Sequence, residues 1–145
     1  MGDEPSQTLK FCALFLGIGR DENQLVSNYG LKSFEKLGEQ KFLGKVCFNT
    51  ELCRFLIQSQ SYHIEEIQSH IDNYQINNRG EAISLFKILK DALALDAFRF
   101  GNFCASDLEL SNSRKLVLFA SQFHRNDLKQ DLILKEIEDW LKDIQ

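Results

Sequence analysis

The chain carries one proline in 145 residues, Pro5. Helix interruption by a proline ring and its missing amide is therefore confined to the first few residues. Strand signals are scarce too. Val, Ile and Thr nowhere alternate with polar residues over a long stretch, whereas apolar residues often recur at helical intervals. There is no excess of positive charge: 17 Lys and Arg against 21 Asp and Glu leave a formal charge of −4. Broad phosphate neutralisation needs a basic face, so nucleic acid is not an expected partner. No apolar run reaches the roughly 20 residues needed to cross a bilayer. No charged, apolar and cleavage-site pattern opens the chain, so no membrane association is expected. Cysteines stand at 12, 47, 53 and 104 without a CxxC pair, which reads as free, buried thiols in a reducing compartment.

What is present is ordinary for a soluble globular domain: 43% hydrophobic and 26% charged residues, with twelve Phe that predict an aromatic core. A chain this long buries roughly 68–70% of its unfolded surface and needs neither disulfides nor a structural metal. Residues 1–8 read as a flexible N-terminus, and 9–145 as one compact domain. The opening Gly2-Asp3-Glu4-Pro5-Ser6 fits the bare myristoylation pattern, but its acidic residues and proline favour a plain terminus.

The periodicity predicts six or seven helices in an all-α fold. Leu9–Ile18 reads as a buried helix entering a glycine turn. A second helix follows Asn28 and stops at Gly38. Thr50 is the expected N-cap of a helix to about Ser59. Tyr62–Tyr74 reads as a polar helix and Ile76–Gly80 as a loop. Glu81–Phe100, apolar on most sides, is the expected central helix, ended by Gly101. After a connection over Phe103–Leu110, Ser111 or Ser113 caps Arg114–Phe123, with Leu116, Val117, Phe119, Ala120 and Phe123 packing inward. Leu128–Ile144 is amphipathic, and its Trp140 is read as core.

Three stretches in order, "ALFLGIGRDEN" (13–23), "LIQSQSYHI" (56–64) and "ILKDALALDAFRFGNFCASDLELSNSRKLVLFA" (88–120), together resemble the HD-domain phosphohydrolases. The third is the most specific. The phosphodiesterase domain of bacterial phosphoribosyl-ubiquitin effectors looks like a distant cousin. The likeness implies an all-α, HD-like fold and, in working members, metal-dependent phosphoester hydrolysis. Here the family's His-Asp pair maps onto Leu16 and Gly17, and the second Asp of its "DAD" onto Leu93. Its "HS" ligand maps onto Gln60-Ser61, or onto His63 if the register slips. The earlier "HGxxH" element has no counterpart. Leucine donates no lone pair and glycine has no side chain, so these positions cannot gather the ligands a hard or borderline cation needs, nor acidify a water. The resemblance thus implies a scaffold without its metal: no cofactor and no catalysis.

Other chemistry is sparse. His63, Glu66 and His70 would share one face of a helix and offer a zinc trio, but no fourth ligand is evident, and a solvated helix face is the simpler reading. His124 beside a helix end suits the helix dipole. Asp91 and Asp96 match the family's acidic helix, where Asp96 pairs with Arg99 or with Arg114. Arg20, Asp91, Asp96, Arg99 and Arg114 are the candidate residues of a remnant pocket or interface. Arg54, Arg79 and the Phe98–Phe103 region are further open candidates.

The expectation is a non-catalytic HD-like protein that binds and regulates, by inhibition, another protein. Low Pro with abundant Asn, Gln, Lys and Phe resembles regulatory proteins of intracellular bacterial pathogens. That likeness implies an effector enzyme such as a ubiquitin deamidase as partner, and a cytoplasmic location, in the bacterium or in host cytosol after secretion. The rivals are a phosphoester hydrolase with a site rebuilt around His63, His70 and Asp91, and a nucleotide-binding sensor.

Overall fold

The computed structural model describes residues 4–19, 29–40, 43, 49–123 and 135, apart from the Arg99 side chain. The all-α expectation holds. The described residues contain seven bounded α-helices and no strand: α1 (Glu4–Phe15), α2 (Tyr29–Glu39), α3 (Thr50–Gln58), α4 (Ile67–His70), α5 (Arg79–Asp96), α6 (Ser111–Arg114) and α7 (Val117–Phe123). No described helix is long and apolar enough to cross a membrane. The chain divides into two units, Met1–Leu89 and Lys90–Gln145, with the division inside α5. The segment from 128 to 144, with Trp140, and His124 lie outside the described residues, Lys135 excepted.

In the first unit, α3 packs against α1 and α2. Five of its nine residues, Leu52, Cys53, Phe55, Leu56 and Ile57, are buried. That pattern makes α3 the central helix of this unit, a role the sequence assigned to Glu81–Phe100. The reason lies on α5: its buried apolar residues Ala82, Leu85, Phe86 and Leu89 form one stripe at spacings of three and one, while Ile88 and Ala92 are exposed and Leu93 and Leu95 half-buried. Phe55 joins these layers, its ring 5.9 Å from that of Phe86 and 5.3 Å from that of Tyr74.

Helix boundaries follow capping chemistry. α1 starts at Glu4, inside the stretch expected to be a loose terminus. Pro5 falls in its first turn, where no intrahelical amide bond is lost, and the Thr8 hydroxyl donates to the Glu4 carbonyl at 3.0 Å. Asn49, not Thr50, caps α3. Its backbone is extended and its Oδ1 accepts the Leu52 amide at 2.9 Å, so Thr50 becomes the first helical residue. The Asn78 side chain accepts the Glu81 amide at 3.2 Å, so α5 begins two residues before Glu81. Its last turn tightens to a 3-10 turn over Ala97–Phe100, and Gly101 closes it at φ 73, a left-handed conformation suited to glycine.

Tyr62–Tyr74 is not the continuous helix expected. The Glu66 carboxylate accepts the His63 amide at 3.0 Å and the chain turns there, leaving only α4 and a 3-10 turn over Ile71–Asn73. Neither Ser111 nor Ser113 caps the next helix. Leu110 occupies the cap position of α6 with no side-chain bond, and α7 starts afresh at Val117.

Two glycines of α2 predict opposite outcomes for one substitution. A Cβ on Gly30 would collide with the Ile57 carbonyl oxygen and come within 3.1 Å of the Gln58 Cα, both backbone atoms of α3. A Cβ on Gly38 meets nothing within 4 Å. Gly30→Ala therefore destabilises, by about 1–3 kcal/mol from forced separation, less a helix-propensity gain of up to about 1 kcal/mol. Gly38→Ala stabilises by roughly 0.5 kcal/mol. Paired denaturant titrations check both signs.

Candidate functional site

The described part of the first quoted stretch ends in a structural turn. "LGIG", residues 16–19, follows α1 and docks on α2 through Ser33, whose hydroxyl donates to the Leu16 carbonyl at 2.8 Å and accepts the Gly19 amide at 2.9 Å. Leu16 is buried and Gly17 exposed. A Cβ on Gly19 would strike Ser33 and the Lys32 carbonyl carbon, so the close approach requires glycine. Lys36 Nζ donates to the Ile18 carbonyl at 3.2 Å. Arg20 lies outside the described residues.

Gln60 is buried with both ends of its amide engaged. Oε1 accepts the Tyr29 hydroxyl at 2.7 Å, and Nε2 donates to the Ile57 carbonyl at 2.8 Å. Tyr29 opens α2, so Gln60 ties the end of α3 to the start of α2. Leu93 is half-buried in α5, in the second unit.

His63, Glu66 and His70 are not assembled as ligands. His63 lies outside any helix with its side chain exposed, and Glu66 is turned back onto the His63 amide. Among the described residues no group of three or more His, Cys, Asp or Glu converges as a metal set would.

His70 instead belongs to an aromatic groove of about 430 Å³, lined by residues that include Leu31, Gln58, Tyr62, Glu66 and Tyr74. The Tyr62 ring stacks on His70 at 3.8 Å, and Tyr74 meets its edge at 5.3 Å. His70 Nε2 lies 3.2 Å from the Tyr74 hydroxyl, which donates to Gln58 Oε1 at 3.2 Å. Asn73 Nδ2 donates to the His70 carbonyl at 3.0 Å and faces its Nδ1 at 3.5 Å. A neutral ring protonated at Nε2 satisfies all of these partners. Burial pushes the His70 pKa below its ordinary value, and the Glu66 carboxylate opposes that shift. Burial likewise raises the Tyr74 phenol. Arg54 lies over the Tyr74 ring, 5.2 Å from its centroid, and pairs with Glu51. Arg79 pairs with Asp72 at the surface.

The lowered His70 pKa has a pH consequence with a definite sign. Between its folded pKa and about 6.5, the unfolded chain binds more protons than the folded one, so stability rises with pH in that window. The contribution is complete above about 6.5 and is lost as pH falls through the folded pKa. The melting temperature should drop on acidification from neutral pH, and His70→Phe should flatten that part of the profile. Thermal melts of both proteins across the window check it.

In the second unit Asp91 is 1% exposed and holds a loop. Its Oδ1 accepts the Glu109 amide at 2.8 Å and its Oδ2 the Leu110 amide at 2.9 Å. Leu108, 2% exposed, anchors the same stretch. Half-buried Lys90 stands beside it. Burial lowers the Lys90 pKa, while the Asp107 and Glu109 carboxylates pull it back up. Asp96 is half-buried on the following turn of α5. Arg114 is exposed on α6 and makes no ion pair among the described residues, so of the two pairings expected for Asp96 the one with Arg114 is absent. Phe98 and Phe103 stack at 4.1 Å across Gly101.

The surface of α6 and α7 departs most from expectation. Leu116 and Phe119, expected to pack inward, are 49% and 56% exposed, and Leu118 is 68% exposed. Only Ser113 and Ala120 are buried in this stretch. Arg114 and Lys115, which precede Leu116 in the chain, are also exposed. The signal was present in "LVLF", residues 116–119: four consecutive apolar residues on a helix span more than one face and cannot all point inward. The aromatic groove, by contrast, gave no linear signal, because Gln58, Tyr62 and Tyr74 converge only once the 62–66 turn is made. Cys104 was expected to be buried but is exposed, with its Sγ 2.9 Å from Ser106 Oγ. Cys47 lies outside the described residues.

Compared with known proteins, the chain matches no family model, no curated protein and no solved structure.

Proposed function

We propose that this is a non-catalytic HD-like helical protein that binds another protein and inhibits it. The observation that carries the reading is the exposure of three large apolar side chains, Leu116, Leu118 and Phe119, in a stretch that also exposes Arg114 and Lys115. Large apolar and aromatic side chains left in solvent, with arginine nearby in the chain, are the composition that protein interfaces favour. The residues at the resembled family's ligand positions support it from the other side. Leu16 is packed in the core, Gln60 has its amide hydrogen-bonded, and both carboxylate oxygens of Asp91 accept backbone amides. These are architectural roles. By analogy with the regulators the composition resembles, the partner is an effector enzyme of the kind that modifies ubiquitin, in the bacterial cytoplasm or the host cytosol.

The experiment is affinity capture with the wild-type chain and with Leu118→Glu/Phe119→Glu, after circular dichroism shows both equally helical. The wild type should retain a protein that the double variant releases. Identical captured sets would remove this surface from the account. Phosphoester turnover by the metal-loaded wild type, abolished by His70→Ala, would replace the proposal with the hydrolase.

A further inference from the structure

Cys12 on α1 and Cys53 on α3 are both wholly buried, at 0% exposure, and their sulfurs lie 3.5 Å apart. The Cys12 thiol also leans toward the Cys53 carbonyl at 3.9 Å. They are 41 residues apart in sequence, brought together by the packing of α1 on α3. Both thiols are reduced in the structure. A disulfide needs its sulfurs at about 2.0 Å, so an approach of roughly 1.5 Å closes the bond.

We infer that Cys12 and Cys53 form an oxidation site: a hydroperoxide converts the pair to an intramolecular disulfide that locks α1 to α3. The chemistry balances in two steps. One sulfur attacks the peroxide oxygen. An S–O bond forms, the O–O bond breaks, and the products are a sulfenic acid and water (or an alcohol). The second sulfur then attacks the first. The S–S bond forms, the S–O bond breaks, and a second water leaves with the remaining thiol proton. Two thiols are oxidised and one peroxide is reduced. Burial has two opposite consequences. It slows the first step, because the oxidant must reach an enclosed thiol. It also places the resolving thiol in contact with the sulfenic acid, so condensation outruns further oxidation. Exposed Cys104 has no such partner thiol among the described residues and should react faster without forming this bridge.

The cross-link closes a long loop and constrains the unfolded chain, which raises stability. A melting-temperature gain of roughly 5 °C or more is expected for a chain of this size.

The test uses the full wild-type chain, treated with hydrogen peroxide, unfolded in N-ethylmaleimide and mapped by mass spectrometry. Trypsin alone leaves Cys47 and Cys53 on one peptide, Val46–Arg54, so a glutamate-specific protease is added to cut after Glu51. The expected product is Phe11–Arg20 joined to Leu52–Arg54, lighter than their sum by two hydrogens, with the melting temperature raised and restored by dithiothreitol. Cys12→Ser should lose both the cross-link and the gain. Its own melting temperature when reduced separates that loss from any packing defect. The inference is overturned if Cys12 and Cys53 still carry maleimide after Cys104 has been fully oxidised. It is equally overturned if Cys12 pairs with Cys47 or Cys104, or if the cross-link forms with no change in melting temperature.

Discussion

Asp91→Ala is expected to lower unfolding free energy by about 2–4 kcal/mol, a large effect for one surface-adjacent loop. Two adjacent backbone amides, of Glu109 and Leu110, point at one buried carboxylate. Removing it strands both donors and releases the stretch that leads into α6. Charge-assisted bonds of this kind are stronger than neutral ones, and an unsatisfied buried donor costs about 1–3 kcal/mol. Glu109 is exposed, so water recovers part of the loss there. Asp91→Asn tests the mechanism. One amide acceptor survives, but the new NH2 group faces a backbone N–H, so isostery should not rescue stability. Denaturant midpoints should fall for both variants. Hydrogen exchange should rise first at residues 105–112.

Phe55→Ala should cost more, about 3–5 kcal/mol. The ring is fully buried on the central helix and touches both Phe86 and Tyr74. The truncation removes no hydrogen-bonding group, so the loss is transfer energy plus the cavity left behind. For a chain of this size that corresponds to a fall in melting temperature of roughly 10 °C. Because Tyr74 leans on the same ring, the variant should also loosen the hydrogen-bonded chain from Asn73 through His70 to Gln58. His70 would then titrate closer to an ordinary histidine, a shift readable by NMR. An unchanged melting temperature would mean that α3 is not the centre of its unit.

The helical class was legible because its determinants are local. One proline, frequent three- and four-residue apolar spacing and glycines after helices all act within a turn or two of chain. The start of α3 shows the limit of that reasoning. Asn49 and Thr50 are both good caps, and only the extended backbone at Asn49 decides between them. The His63–Glu66–His70 trio failed for a related reason. Helical spacing was assumed, but Glu66 spends its carboxylate on the His63 amide and breaks the register. Asp91 was singled out as a candidate of a remnant pocket or interface, whereas its carboxylate accepts two backbone amides of a loop. Its partners, 18 and 19 residues away, follow from loop closure that no periodicity encodes. The exposed face of α7 was readable in "LVLF" and was misassigned because each residue alone favours a core.

The most direct measurement is the catalytic rate of the captured partner enzyme, titrated with this protein and with Leu118→Glu/Phe119→Glu. The wild type should suppress the rate to a floor at about one equivalent, while the double variant should leave it unchanged at the same concentrations. A rate indifferent to the wild type, or suppressed equally by both, would contradict the proposed inhibition.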